Sequence, residues 1–242
     1  MATYIEHKAN TRGHADHGWL NSYQSFSFAG YYNPERINFG ALRVLNDDVV
    51  AGGKGFGLHP HDNMEIISIP LKGALEHKDN MGNTRVISQG EVQVMSTGTG
   101  VFHSEYNHNT DQEAQFLQIW VFPKQLNIAP RYDQIILDRT RMQNTLLPFI
   151  SPESADGGTY IQQDAWFSSG IFDNGITTSY DVHGTGNGVY AFVISGSFTV
   201  DGHLLDERDA LAIENPATVN IVAASDKAEL LIIEVPMKPS SN

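Results

Sequence analysis

The chain has 242 residues, 40% hydrophobic and 18% charged, with 28 acidic against 15 basic side chains and a formal charge of -13. A field of that sign repels phosphate backbones and anionic lipid, so neither direct nucleic-acid binding nor membrane binding is expected. With no cysteine, disulfides, thiolate metal sites and cysteine nucleophiles are excluded.

The N-terminal MATYIEHKANTRGH carries no apolar targeting segment and no window approaches a membrane span, so a cytoplasmic protein, a monomer, is expected. A short helix is expected near 34–38, within NPERIN. From there on short β signals dominate. EVQVMS (91–96) alternates, FLQIWVF (116–122) is β-branched and aromatic, and YAFVISGSFTV (190–200) repeats the pattern. Turn chemistry falls between them at Asp79–Asn83, Ser88–Gly90, Gly98–Gly100 and Asp201-Gly202. Turns about ten residues apart predict an antiparallel sandwich or barrel. A second helix is expected within 138–147, and disorder only in the terminal KPSSN.

A weak internal repeat divides the chain. Residues 66–100 resemble 191–221, with Gly73 aligned on Gly196 and Gly90-Glu91 on Arg208-Asp209. The expected architecture is all-β, with two β-barrels of similar plan: an N-terminal domain over 1–125, a proline-rich linker with SADGG over 126–155, and a C-terminal domain over 156–242.

The chemistry-bearing residues lie in the first half. On a strand, residues i and i+2 share a face, so His59 and His61 can point into a barrel together, with Pro60 facing out. His103 and Glu105 have the same spacing some forty residues on. Three imidazoles and a carboxylate do not belong in a dry interior unpaired, and a divalent cation removes that cost. Glu65 lies an even number of residues from His61 and is a further candidate ligand on spacing alone. The other histidines have plainer readings. His14 and His17 tie down an N-terminal loop, His77 and His108 sit at polar turns, and His183 and His203 belong to the second half.

The pattern resembles the cupins. Gly53, His59, His61, Glu65 and Gly73 follow the first cupin motif with one extra residue. Gly90, Gly100, His103 and Asn107 follow the second, with Ser96 in place of its proline and two residues inserted. Those departures, with MSTGTGVFHSEYN and RGHADHGWLNSYQSFSFAGYYNP, resemble the pirins and pirin-like bicupins over about residues 8–125; the second half resembles the pirin C-terminal cupin more loosely. The resemblance implies a bicupin of two double-stranded β-helix barrels with one divalent transition metal in the N-terminal barrel, held by His59, His61, His103 and Glu105. Glu65 is then expected outside the ligand set, orienting a histidine N–H. Fe(II) is the first expectation for the metal, with Ni, Cu, Mn, Co or Zn as alternatives that ligand type alone does not separate. Val182, Gly184 and Val219–Ile221 replace the ligand positions in the second barrel, which is expected to be metal-free.

The resemblance further implies quercetin 2,3-dioxygenase-type activity: opening of a flavonol such as quercetin with O2 and release of carbon monoxide. Glu105 is the expected catalytic acceptor of the 3-hydroxyl proton, and Phe56 and Met95 are candidates for the pocket wall. The competing expectation is a metal-dependent regulatory protein acting through a protein partner.

Overall fold

The computed structural model describes residues 2–153 and 158–238, so 154–157 of the expected linker and 239–242 of the terminal tail lie outside the described residues. The first half forms strands β1 (Thr3–His7), β2 (Gly13–Asp16), β3 (Leu20–Gln24), β4 (Leu42–Val50), β5 (Gly55–His61), β6 (Glu65–Lys72), β7 (Ala74–Asp79), β8 (Thr84–Ser88), β9 (Glu91–Ser96), β10 (Val101–Asn107), β11 (Ala114–Val121) and β12 (Arg131–Ile136). The second half forms β13 (Leu147–Ser151), β14 (Thr159–Tyr160), β15 (Trp166–Phe172), β16 (Thr177–Asp181), β17 (Asn187–Ser195), β18 (Phe198–Val200), β19 (His203–Leu205), β20 (Ala210–Glu214), β21 (Thr218–Ala223) and β22 (Ala228–Pro236). Neither expected helix forms: residues 34–38 and 138–147 are turns and extended chain, and a single 3-10 turn at Ala9–Thr11 is the only helix among the described residues. Asp138 explains the second site. It accepts from the Thr140 N–H and hydroxyl, the local bonding by which Asp competes with a helix.

Each half is a barrel of one large and one small sheet. A seven-stranded sheet (β12-β9-β6-β11-β4-β3-β2) and a four-stranded sheet (β5-β10-β7-β8) build the first, while β1-β20-β17-β22-β15-β13-β14 and β16-β21-β18-β19 build the second. The repeat is legible at its turns. Gly73 and Gly196 both have φ near 73°, and Gly90 (φ 88°) is matched by Arg208 (φ 66°), each leading into the corresponding strand. Strand pairing crosses the limits suggested by composition: β1 joins the second barrel through β20, and β12 joins the first through β9.

The two large sheets face each other across the main core. Ile67, Ile69, Val92, Val94, Leu117 and Ile119 from one side meet Tyr190, Phe192, Leu231 and Ile233 from the other. A sheet buried on both faces reverses the simple reading of alternation. In EVQVMS the valines face the other domain, so Gln93 and Met95 face their own barrel interior. The second barrel is filled with apolar side chains, including Phe198, Val200, Leu205, Val219 and Ile221. The first carries a polar rung across its large sheet, running through the register partners Gln24, Asn46, Gln118, Ser68 and Gln93. All five are buried. No helix among the described residues is long and apolar enough to cross a membrane.

The β1 junction gives a pH prediction. His7 is buried, with Nδ1 2.9 Å from the Tyr190 hydroxyl. Burial, aided by the Arg36 charge, lowers its pKa to about 4. Because the folded value lies below the ordinary 6.5, its contribution is complete above pH 6.5 and is lost as pH falls toward 4; the full loss is at most about 3 kcal/mol. His7→Phe is therefore expected to show a smaller fall in Tm than the parent protein between pH 7 and 5. Parallel slopes in thermal melts would contradict this.

Candidate metal centre

The small sheet brings the two sequence halves of the site together. β10 pairs antiparallel with β5, with His103 opposite His59 and Val101 opposite His61. On β10 residues 101, 103, 105 and 107 are turned inward and buried, while Phe102 and Tyr106 are exposed. Pro60 faces solvent, where its missing N–H costs least. The three rings cluster, with centroids 4.4 Å (His59–His103), 4.8 Å (His59–His61) and 5.0 Å (His61–His103) apart. Donor nitrogens from all three lie within 4.8 Å of one another, and a second cluster of the same tightness joins His103 to His77 and Glu105.

Hydrogen bonds orient these donors. The Gly57 carbonyl can only accept, so His59 donates to it from Nδ1 at 2.7 Å, leaving its Nε2 lone pair free. His77 Nε2 lies 3.0 Å from the Asp79 carboxylate and therefore donates to it. His77 Nδ1 is then an acceptor, and His103 Nδ1 lies 3.5 Å away as its long donor. This chain leaves His103 Nε2 unprotonated, and that atom is buried with no hydrogen-bond partner among the described residues. An orphaned lone pair beside two further imidazoles fits a transition-metal ion. Two of the rings are held neutral: burial, then the neighbouring histidines, lowers His103 well below the usual range, and burial lowers His61 to about 4.

Glu105 is buried opposite the rung. Its two oxygens accept from Ser68 Oγ (3.2 Å) and Gln118 Nε2 (2.9 Å), and burial raises its pKa. Above these groups lies a cavity of about 450 Å3 walled by Trp19, Phe28, Phe56 and Trp120, with His59, His61, Glu105, Asn46, Asp48 and Gln118 also on its surface. Trp120 packs edge-on against His61 and Phe28, and Phe56 against Trp19. The register shift between His103 and Glu105 places an extra β5 residue opposite β10, so Phe56 and His59, three apart, both reach the cavity. Gly55 makes this crossing possible: a Cβ there would overlap the Glu105 carbonyl oxygen and Tyr106 Cα. Gly55→Ala is expected to cost about 1–3 kcal/mol, read as a lower denaturation midpoint, because β5 must move off β10; an unchanged midpoint would contradict the close approach.

Four expectations are corrected. Glu65 orients no histidine among the described residues. The turn at 62–64 carries the chain into the large sheet, and there Glu65 shares the face of Ile67 and Ile69, away from Ser68 and the barrel interior. It instead accepts from Ser96 Oγ and from the Gln162 N–H, joining the two halves of the molecule. Met95 does face the interior but packs with Ile66 and Val101 under Trp120, off the cavity surface. His77 is not at a turn: it lies in β7, fully buried, and the turn follows Asp79. Its His-x-Asp spacing is the same i, i+2 signature as the other two pairs. His14, likewise, lies in β2 and donates to Asn21. Asp48, Ser68 and Gln118 carried no sequence signal beyond polarity within apolar strands. Asp48 is raised to about 7, chiefly by burial.

Comparison with known proteins decides the family. The pirin family model matches residues 6–121, and a quercetinase C-terminal cupin model matches 149–235. The chain belongs to the pirin family. Among its relatives is a quercetin 2,3-dioxygenase of Escherichia coli K12, 41% identical over 231 residues, 95% of this chain and 97% of the relative. A pirin-like protein of Caulobacter vibrioides is 39% identical over 92% of this chain and 95% of its own length. The crystal structure of E. coli YhhW superposes with a TM-score of 0.92 at 39% identity, covering 97% of this chain and 98% of that one. A complex of YhhW with nickel(II) gives 0.91 at 38% identity, covering 97% and 99%. A quercetin 2,3-dioxygenase from Acinetobacter baumannii, at 19% identity and a TM-score of 0.75, shares the pirin fold.

Proposed function

We propose that this pirin is a metal-dependent quercetin 2,3-dioxygenase, opening the central ring of a flavonol with O2 and releasing carbon monoxide. The observation that carries the reading is the cluster of His59, His61 and His103, with Glu105 beside His103, next to an aromatic-walled cavity, in a chain 41% identical to a relative of that name. His59 and His103 would hold the metal through Nε2, with His61 and Glu105 as the remaining ligands. A bound transition metal supplies Lewis acidity and a route for electrons between an aromatic substrate and dioxygen. Fe(II) is the proposed metal; nickel, held by one relative, is the alternative.

The rest is done by the protein's own groups. Trp19, Phe28, Phe56 and Trp120 take a flat ring system and exclude water. Glu105, raised by burial, is poised to take the proton of the flavonol 3-hydroxyl, while Ser68 and Gln118 keep its carboxylate oriented. The His103–His77–Asp79 chain holds the His103 tautomer.

The test is the gas balance of the metal-reconstituted protein. One O2 consumed and one CO released per flavonol lost supports the reading. Metal binding without turnover of any flavonol would move the assignment to a regulatory pirin that answers to a protein partner.

A further inference from the structure

The polar rung has an end that the metal centre does not use. On β3 and β4 the cross-strand pairs Ser22–Asp48 and Gln24–Asn46 turn four polar side chains into the barrel, all buried. Ser22 hydrogen-bonds Asp48. Even so, Gln24 Oε1, Asn46 Oδ1 and Asp48 Oδ1 have no hydrogen-bond partner among the described residues. Three orphaned acceptors on two adjacent strands are costly to fold around, and the cost is justified where a ligand supplies the donors. The same residues surround a hollow of about 350 Å3, which shares Trp19, Phe28, Asn46, Asp48 and Phe56 with the cavity over the histidines. The two hollows therefore adjoin, with metal-binding groups lining one and the residues that carry the unpaired acceptors lining the other.

We propose that this second lobe is the subsite for a hydroxylated ring of the substrate, whose O–H groups donate to Gln24, Asn46 and Asp48. The lobe's chemistry selects the ligand. Its walls are aromatic and suit a flat ring. Its acceptors require donors, and a phenol hydroxyl both donates and accepts, so it pairs with either end of the Gln24 and Asn46 amides. A polyphenol carrying hydroxyls remote from the reacting ring meets all three conditions.

The inference rests on the flavonol reading, and the test separates the two. Binding is followed without oxygen, by quenching of tryptophan fluorescence in the metal-loaded protein. The ligands are quercetin, with two hydroxyls on its pendant ring, and the flavonol lacking both. Two donated hydrogen bonds, each worth about threefold, predict that the parent protein prefers quercetin by about tenfold, and that Gln24→Met and Asp48→Leu each reduce the preference to about threefold. Metal content should be unchanged in both variants, and affinity for the flavonol lacking both hydroxyls should be unchanged in Gln24→Met, whose side chain does not line the cavity over the histidines. A tenfold preference that survives in both variants, or no preference in the parent protein, overturns the subsite. Preference without turnover in air would sink the dioxygenase and leave the subsite standing; turnover without preference would do the reverse.

Discussion

Glu105→Gln is expected to leave the protein folded with most of its metal bound while lowering flavonol turnover by at least about 100-fold, the lower range for loss of a positioned general base. The side chain sits between two groups that tolerate the exchange. Ser68 Oγ can rotate to accept, and the Gln118 amide can present its oxygen, so the new Nε2 need not be left unpaired. The three imidazoles proposed as ligands would remain to hold the ion. What disappears is the carboxylate that accepts a proton. Metal content by atomic absorption and turnover by loss of flavonol absorbance give the two readings. Undiminished turnover would remove Glu105 from the proton-transfer role.

His77→Leu should weaken metal binding by about 10–100-fold although every proposed ligand remains, the usual effect of losing an outer-shell partner of a ligand. His77 is the acceptor for His103 Nδ1–H and is itself tied to Asp79. Without it the His103 ring can take the tautomer whose Nε2 carries the proton, and no lone pair faces the site. His77→Gln, which keeps a side-chain acceptor, should recover part of the affinity. Competition with a chelating dye measures the affinities. Equal affinity in the parent protein and His77→Leu would mean that the tautomer is held by something else.

These two residues also show what the sequence makes legible. Strand pairs at i and i+2 carry their own geometry, so His59 and His61, and His103 and Glu105, are readable from spacing alone, as is the turn glycine shared by Gly73 and Gly196. His77 has the same signature with Asp79 but is hidden by the polar run that follows it, and a strand that ends one residue into a turn-rich segment looks like the turn. Glu65 fails in the opposite way. Its spacing from His61 suggests a shared face, but the chain turns between them and enters the other sheet, where the parity of β6 sends Glu65 toward the second domain. Gln93 and Gln118 are the hardest. A polar residue between apolar neighbours normally marks solvent, whereas here the apolar neighbours bury against the second domain and the glutamines face the barrel interior. Only the tertiary packing of one sheet on another decides that.

The central claim is that a metal held in the first barrel makes this pirin an oxygen-dependent flavonol-cleaving enzyme. The most direct measurement is loss of flavonol absorbance by apo-protein reconstituted with Fe(II), and in parallel with Ni(II), in air and under argon, alongside His59→Ala. Turnover in air that stops under argon and is absent in His59→Ala is the predicted result. A fully metal-loaded protein that leaves every flavonol intact in air, or a His59→Ala variant that turns over as fast as the parent protein, would contradict it.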